Sequence, residues 1–101
     1  MAEIHDAAKN GDIARVTQLL DAGADINTPD GKQNTALHHA ARYGHIELVQ
    51  LLIDRGADLN PNEAISGHTP LHKAERWGHD EVVELLLRAG AHKRPPLRGE
   101  G

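Results

Sequence analysis

The stretch TALHHAARYGHIELVQLLIDRGADLN, residues Thr35–Asn60, decides the fold because the chain nearly repeats it on both sides. Shifted back by 33 residues, its Leu37-His38-His39-Ala40-Ala41 lies over Ile4-His5-Asp6-Ala7-Ala8. Shifted forward by 34 residues, its Leu37-His38 and Gly44-His45 lie over Leu71-His72 and Gly78-His79. A period in this range is the signature of stacked supersecondary units. The sequence therefore predicts three copies of one structural unit.

Composition indicates what kind of core these copies build. The 101 residues suffice for one domain, and Tyr43 and Trp77 are the only aromatic residues, since Phe is absent. The core is therefore expected to consist of Leu, Ile, Val and Ala, which favours closely spaced helices over a sandwich or barrel. Cysteine is absent, so neither disulfides nor thiol chemistry contribute. The net charge of -4 argues against a general polyanion binder, because such proteins carry a basic excess.

The first helix of each unit has clear start and stop signals. Thr35 is a good N-cap, and His38 stands three residues later, where a capping box places a side chain that reaches back. The helix is predicted over 36–43 and ends at Gly44, because a left-handed C-terminal residue costs glycine no Cβ strain. In the third copy Pro70 occupies the first helical position, where a missing N–H costs nothing.

A second helix is predicted from His45 onward. Its apolar residues recur at helical spacing but form more than a single stripe, which is typical of a helix covered on more than one side. Gly56 ends it. The polar stretch before the next copy is rich in Asn, Asp, Gly and Pro and reads as a turn or hairpin.

These residues resemble the ankyrin repeat family, on the motifs Thr69-Pro70-Leu71-His72, Gly44-His45, Gly56-Ala57-Asp58 and Asn60, and the resemblance covers residues 2 to about 92. It implies an all-α repeat fold, an ankyrin-type α-solenoid of three helix-turn-helix units with connecting β-hairpin-like loops. It also implies that His38 and His72 bond to the cap threonine hydroxyls and to the backbone of the adjoining hairpin. Two departures are an extra residue near 63–67 and Gln33 at a position that is usually Gly.

The outer copies differ from the middle copy in a way that predicts caps. Positions that are Leu48 and Leu51 in the middle copy are Arg15 and Gln18 in the first. The opposite columns become polar in the third copy, as Glu75, Asp80 and Lys93. Because an end unit of a solenoid must tolerate water on one face, we expect a complete stack in residues 1–92, with repeats at about 2–29, 30–62 and 63–92 and a flexible tail at 93–101.

At the C-terminal end of this stack, some apolar surface is expected from Val83, Leu86 and Leu87. That surface is compatible with weak homodimerisation.

The eight histidines do not predict a metal site. His5, His38 and His72 occupy equivalent positions of successive units, roughly 8–10 Å apart, whereas zinc binds its nitrogen ligands at about 2.0–2.1 Å. His45 and His79 open the second helices and are interpreted as framework. Neither a phosphate loop, an HExxH motif nor a nucleophile elbow is present. We therefore expect no enzyme activity, no metal and no cofactor.

A surface for a partner is predicted on the concave face, formed by the short first helices and the hairpin tips. Helical spacing and stacking align Lys9, Arg42 and Arg76, here called the basic row, beside Tyr43 and Trp77, here called the aromatic pair. Aromatic and Arg side chains most often carry interface energy. The candidate partner-binding residues are Lys32, Asn34, His39, Arg42, Tyr43, Asn62, Ile65, His68, Lys73, Arg76 and Trp77.

Two alternatives for this surface stay open. The bulky aromatic residues could simply cover the alanine-rich elbow between the helices of a unit. The basic row could pair with hairpin acids such as Asp30, Asp58 or Glu63. For His39 and His68, a solvated surface position is an alternative to a partner contact.

The predicted function is protein–protein interaction without catalysis, as a small adaptor or inhibitor whose partner offers acidic and apolar groups. Nucleic-acid association through the basic row and the aromatic pair is an alternative that the overall acidity disfavours. Another alternative is self-assembly of a structural unit through the C-terminal end. We expect neither a membrane span nor a signal peptide, because no apolar run approaches roughly 18 residues and the N-terminus lacks basic and apolar blocks. We expect a monomer inside the cell, in the cytoplasm.

Overall fold

A computed structural model describes residues 3–61 and 68–91 of the chain, and these residues contain six α-helices. The helices are α1 (Glu3–Asn10), α2 (Ile13–Asp21), α3 (Ala36–Arg42), α4 (Ile46–Asp54), α5 (Pro70–Arg76) and α6 (Asp80–Ala89). They form three pairs in chain order, as the 33- and 34-residue spacings predict. Neither strand nor bridge occurs within the described ranges.

The predicted capping boxes are confirmed at the starts of α3 and α5. The Thr35 hydroxyl accepts the His38 backbone N–H at 3.4 Å, and the Thr35 backbone N–H donates to His38 Nδ1 at 3.0 Å. Thr69 and His72 form the same pair of bonds. Because Nδ1 accepts, the other ring nitrogen of His38 carries the proton, and it donates to the carbonyl of His68 at 2.8 Å. One side chain thus caps its own helix and ties down the next loop.

The predicted helix over 36–43 ends one residue earlier, at Arg42, and Tyr43 is its C-cap. Gly44 follows with a φ of 72°, the left-handed conformation that the pattern predicts. A Cβ at Gly44 would also lie 2.5 Å from Nδ1 of His79, which is too close for any side chain. Gly11 meets His45 in the same way, at 2.6 Å. Glycine is therefore required both by backbone conformation and by the histidine of the following unit.

Those histidines join neighbouring units, which confirms the framework role predicted for them. Nε2 of His45 donates to the carbonyl of Lys9 at 2.8 Å, and Nε2 of His79 donates to the carbonyl of Arg42 at 2.9 Å. Each bond runs from the start of a second helix to the end of the first helix one unit earlier. The carbonyls at a helix C-terminus lack intrahelical partners, so these histidines satisfy groups that would otherwise need water.

The three pairs pack as a linear row. α3 lies between α1 and α5, and α4 lies between α2 and α6. The interior is aliphatic and alanine-rich, as composition predicts, and its fully buried members include Ala8, Val16, Leu37, Ala41, Leu48, Leu52, Leu71, Ala74, Val82 and Leu86. Alanine on the facing sides of α1, α3 and α5 allows these short helices to approach closely. The all-α repeat fold is thereby confirmed.

Polar residues at the two ends are exposed or partly exposed, while their counterparts in the middle unit are buried or partly buried. Leu48 is inaccessible to solvent, whereas Arg15 is partly exposed at the equivalent place in α2. Glu75 and Asp80 are exposed in the last unit, and Lys93 lies outside the described residues. The cap roles and the repeat boundaries stay predictions that this exposure pattern favours.

The apolar end of the third unit is smaller than the sequence predicts. Leu87 is 53% exposed and Val83 is partly buried, but Leu86 is fully buried. Leu86 stands four residues after Val82, so the two lie on the same face of α6 and both point into the core. The expectation that Leu86 contributes to the exposed surface was wrong for this reason.

Between α2 and α3, the loop over residues 28–34 is a tight hairpin-like turn without strands. The backbone N–H of Asp30 donates to the carbonyl of Asn34 at 2.8 Å, and that of Gln33 donates to the carbonyl of Asp30 at 3.0 Å. Gln33 has a φ of 68°, so it adopts the left-handed conformation that a glycine would take more easily. The extra residue predicted near 63–67 lies outside the described residues.

Candidate functional site

The basic row and the aromatic pair meet at the C-terminal ends of α3 and α5. The guanidinium carbon of Arg42 lies 5.1 Å from the ring centroid of Tyr43 and 5.1 Å from that of Trp77. Arg76 extends the series, with its guanidinium carbon 5.9 Å from the Trp77 centroid. All three distances are within the range of cation–π attraction. Residues of two successive units therefore form one cluster of arginine and aromatic side chains.

The aromatic pair is half exposed, at 44% for Tyr43 and 50% for Trp77. The Tyr43 ring also stacks on the ring of His45 at a centroid distance of 6.3 Å. One side of Tyr43 thus covers the elbow, as the first alternative supposed, while roughly half of its surface remains open to solvent. Elbow cover and partner contact are compatible roles for this residue.

Within the described residues, the hairpin acids do not neutralise the basic row, contrary to the second alternative. Asp30 binds the backbone N–H of Lys32 at 2.8 Å and of Asn34 at 3.0 Å through Oδ1, and its Oδ2 lies 2.9 Å from Nε2 of His39. Asp58 is exposed and pairs with none of the three cations, and Glu63 lies outside the described ranges. The basic row is therefore free of ion pairs with the described acids.

The contacts of Asp30 also decide the charge state of the pair it forms with His39. Burial raises the pKa of Asp30, but the N–H groups of Asn34 and Lys32 together with His39 outweigh this and hold the pKa at about 2. Burial lowers the pKa of His39, an effect only partly offset by Asp30, and the charges of Lys9 and His5 lower it further. At neutral pH the carboxylate is therefore ionised and the imidazole is neutral, donating its Nε2 proton.

His39 and Asn34 differ from the surface positions expected of partner-binding residues. His39 is 5% exposed and Asn34 is 9% exposed. His39 lies in the interior because it bonds to Asp30 and packs edge-on against the ring of His5, at a centroid distance of 5.8 Å. This burial leaves both residues little surface to offer a partner, and they instead shape the loop that carries Lys32.

The other predicted site residues divide by position. Exposed members are Lys32, Tyr43, Arg76 and Trp77, and partly buried members are Arg42, His68 and Lys73. Asn62 and Ile65 lie outside the described residues. The ring of His68 stacks on that of His72 at 5.0 Å, and its carbonyl accepts the bond from His38, so His68 has a framework contact that sequence reasoning did not provide for.

Sequence reasoning passed over Asp30 as an organiser of the loop. The signal that could have found it is an Asp at the start of the Gly-containing turn 30–34, since Asp side chains commonly bind backbone N–H groups two residues on. Lys9 was assigned to the basic row but left out of the partner-binding set, although it lines the same surface as Lys32 and Arg42.

A pocket of about 330 Å³ lies where these elements meet. Its walls come from the end of α1, the loop tip and the end of α3, and its lining residues are Lys9, Asp30, Gly31, Lys32, Asn34, His39, Arg42 and Tyr43. The chemistry available here is recognition by charge, hydrogen bonding and stacking. Within the described part of the chain, no group of three His, Cys, Asp or Glu side chains could hold a metal ion.

Comparison with models of protein families matches residues 4–95 to ankyrin repeats, in three copies. No curated protein matches the chain in sequence. Across the described helices, none is long and apolar enough to cross a membrane.

Proposed function

Since the chain belongs to the ankyrin repeat family, whose members are generally non-catalytic protein–protein interaction modules, we propose that it is a small adaptor or inhibitor that binds one protein partner on its concave face. The partner segment offers acidic groups to the basic row and apolar groups to the aromatic pair. Its backbone runs across the ends of α1, α3 and α5.

The observation that carries this proposal is the contrast between paired and unpaired cations. Three arginines of the second-helix layer have acidic partners: Arg15 with Glu3, Arg55 with Asp21, and Arg88 with Glu84. Five cations of the concave face form no ion pair with any residue in the described ranges, and they are Lys9, Lys32, Arg42, Lys73 and Arg76. The unpaired positive charge of the described residues is thus concentrated on one face, which suits an acidic partner.

The energetic logic is preorganisation. Arg42 makes cation–π contacts with two rings and the loop tip is held by Asp30, so these groups have less freedom to lose when a partner binds. Ordering a long side chain at an interface costs about 0.5–1.5 kcal/mol, and that cost is largely met here in the free protein. The exposed halves of Tyr43 and Trp77 supply the apolar contact area.

The test begins with capture of the partner from cells of the native source, followed by affinity measurements with the purified partner. Trp77→Ala is expected to weaken binding by about thirtyfold or more, since aromatic hot spots contribute at least about 2 kcal/mol. Leu87→Ala is the matched control, because Leu87 has a similar exposure but lies on α6. Equal affinity of Trp77→Ala and the wild type, or an equal loss in the control, contradicts the proposal.

Nucleic-acid association is less well supported on this surface. A base stacks on an open aromatic face, but the guanidinium of Arg42 lies over each of the two rings, 5.1 Å from both centroids. We expect no binding of single-stranded DNA at low ionic strength, measured by fluorescence anisotropy.

Self-assembly through the C-terminal end rests mainly on Leu87, which is one half-exposed side chain. Light scattering at two protein concentrations is expected to give the mass of a monomer at both. A mass that rises with concentration and returns to the monomer value in Leu87→Ala would support self-assembly instead.

A further inference from the structure

The pocket between α1, α3 and the loop tip has an excess of positive charge at close quarters. Lys9, Lys32 and Arg42 come from three different parts of the chain and line the same 330 Å³ space. Among the described residues, its only acidic lining residue is Asp30. Formal charges therefore leave the pocket with two more positive charges than negative ones.

Asp30 cannot serve as the internal counter-ion for these cations. One of its carboxylate oxygens accepts two backbone N–H groups, and the other accepts the Nε2 proton of His39. Within the described residues, the carboxylate makes no ion pair with Lys9, Lys32 or Arg42. The Asp30 carboxylate holds the loop, and Lys9, Lys32 and Arg42 line the pocket without an ion pair to it.

Arg42 is presented in a way that favours an oxyanion. The rings of Tyr43 and Trp77 both lie within cation–π range of its guanidinium carbon, at 5.1 Å each, and no described residue accepts a hydrogen bond from it. Its N–H donors are therefore without an acceptor in the described part of the chain. A planar fork of this kind matches the paired oxygens of a carboxylate or a phosphate.

We infer that this pocket, here called the Lys9–Lys32–Arg42 pocket, binds the phosphate of a phosphorylated serine or threonine in the partner segment, an inference that rests on the proposed function. The choice between anions follows from charge. A carboxylate neutralises one of the two surplus charges, whereas a phosphomonoester carries about -1.5 to -2 at neutral pH and neutralises both. The pocket volume is also at the lower end of the range for small-molecule sites, about 300–1,000 Å³, and so accommodates a single modified side chain.

The inference is tested with N-acetyl-O-phosphoserine amide as the probe and N-acetylglutamate amide as the comparator, by NMR titration of the isotope-labelled chain at low ionic strength. The expected shifts are confined to the amides of residues 31–34, Tyr43 and the side chain of Arg42. Phosphoserine is expected to bind about fivefold more tightly than glutamate, because it brings one more unit of charge to contact distance. Added salt is expected to weaken both.

Three charge-removing variants separate the pocket from general electrostatics. Arg42→Gln and Lys32→Gln are expected to abolish the localised shifts. Arg88→Gln removes the same unit of charge from α6, where Arg88 pairs with Glu84, and is expected to bind phosphoserine as the wild type does. Lys32 is exposed, so Lys32→Gln keeps the test decisive even if Arg42→Gln were to alter folding.

Several outcomes would overturn the inference: absent or scattered shifts with phosphoserine, equal affinity for glutamate, or an equal loss in Arg88→Gln. Sedimentation with vesicles containing phosphoinositides, without any phosphoserine shifts, would overturn it in favour of a lipid headgroup. The proposed function is judged separately. If phosphatase treatment of the captured partner leaves its affinity unchanged while Trp77→Ala still weakens binding, the phosphate inference fails and the proposed function stands.

Discussion

At the scale of single residues, Asp30 and Gln33 determine the conformation of the loop over 28–34. The Asp30 carboxylate accepts hydrogen bonds from the backbone of the loop tip, and Gln33 adopts a left-handed backbone conformation. Both features shape the loop that carries Lys32, which lines the pocket between α1, α3 and the loop tip. The loop is thus stabilised by one residue and strained at another, and each effect can be measured.

Replacing Gln33 by Gly is expected to stabilise the fold by up to about 1 kcal/mol. A non-glycine residue in the left-handed region costs about 1–2 kcal/mol, and glycine gives back about 0.5–1 kcal/mol of that through backbone entropy in the unfolded chain. Urea unfolding measures the difference. The same substitution at Gln18, inside α2, is the control and is expected to destabilise by about 1 kcal/mol; destabilisation by Gln33→Gly would contradict the strain at that residue.

The stability of the fold is expected to fall in acid through two titrations. Because the pKa of His39 is lowered from 6.5 by burial, the unfolded chain takes up the proton first and stability declines as the pH falls through 6.5. Because the pKa of Asp30 is lowered from 3.8 to about 2, its contribution is complete above 3.8 and is lost between those two values. Unfolding measured across this pH range reports both windows.

The variant Asp30→Asn removes the second window and, because Asp30 partly offsets the effect of burial on His39, also alters the first. It cannot ionise, so it is expected to be less stable than the wild type by about 1–2 kcal/mol at neutral pH and to approach the wild type as the pH falls from 3.8 to about 2. A pH-independent difference for Asp30→Asn would show that the ionised carboxylate is not what holds the loop.

At the scale of elements, the helices are too short to form on their own. α3 and α5 have seven residues each, whereas isolated helices below about 12–15 residues are marginal in water. Their stability therefore depends on their termini and on packing. The threonine–histidine capping boxes stabilise the helix starts. Histidine side chains that donate to the carbonyls of Lys9, Arg42 and His68 join helix ends to neighbouring units.

Thr35→Ala is expected to destabilise the chain by about 1–2 kcal/mol, the usual cost of losing an N-cap. The hydroxyl is buried, so the His38 N–H that it accepts would be left without a partner or solvent. Thr17→Ala is the matched control, since Thr17 lies within α2 and is only partly buried; its effect is expected to stay near 0.5 kcal/mol or less. Thermal or urea unfolding distinguishes the two, and equal effects would argue against the cap.

At the scale of the whole molecule, much of the fold could be predicted from sequence because repetition reports packing directly. Gly44 and His79 recur with fixed spacing since one must make room for the other, and the Thr–His pairs recur since they cap equivalent helices. The column positions of Arg42, Tyr43 and Trp77 also follow from the period. Arg42, Tyr43 and Trp77 lie on a common surface because equivalent helices stack side by side.

The remainder depends on side-chain choices that the period does not determine. His39 occupies a column that holds Asp6 in the first unit and Lys73 in the third, so neither its burial nor its bond to Asp30 could be predicted from its neighbours. Likewise, the contact of Arg42 with two rings depends on the rotamers of three residues from two units. Such details arise from local competition for hydrogen bonds and space.

The linear stack makes a prediction about cooperativity. Leu48 is fully buried in α4, which packs against α2 and α6, and Leu48→Ala is expected to cost about 2–5 kcal/mol through the cavity it leaves. Leu87→Ala, at a half-exposed position, is expected to cost about 0.5 kcal/mol or less. Calorimetry is expected to show one transition in each variant, shifted strongly only for Leu48→Ala. Separate transitions for the units would contradict a shared core.

The central claim, that the concave face is the binding surface, is tested most directly by hydrogen exchange on the free chain and on its complex with the captured partner. The claim predicts slower exchange on binding at the C-terminal ends of α1, α3 and α5 and in the loop over 28–34, with α2, α4 and α6 unchanged. Protection confined to α4 and α6, with the amides around Arg42, Tyr43 and Trp77 unaffected, would contradict it.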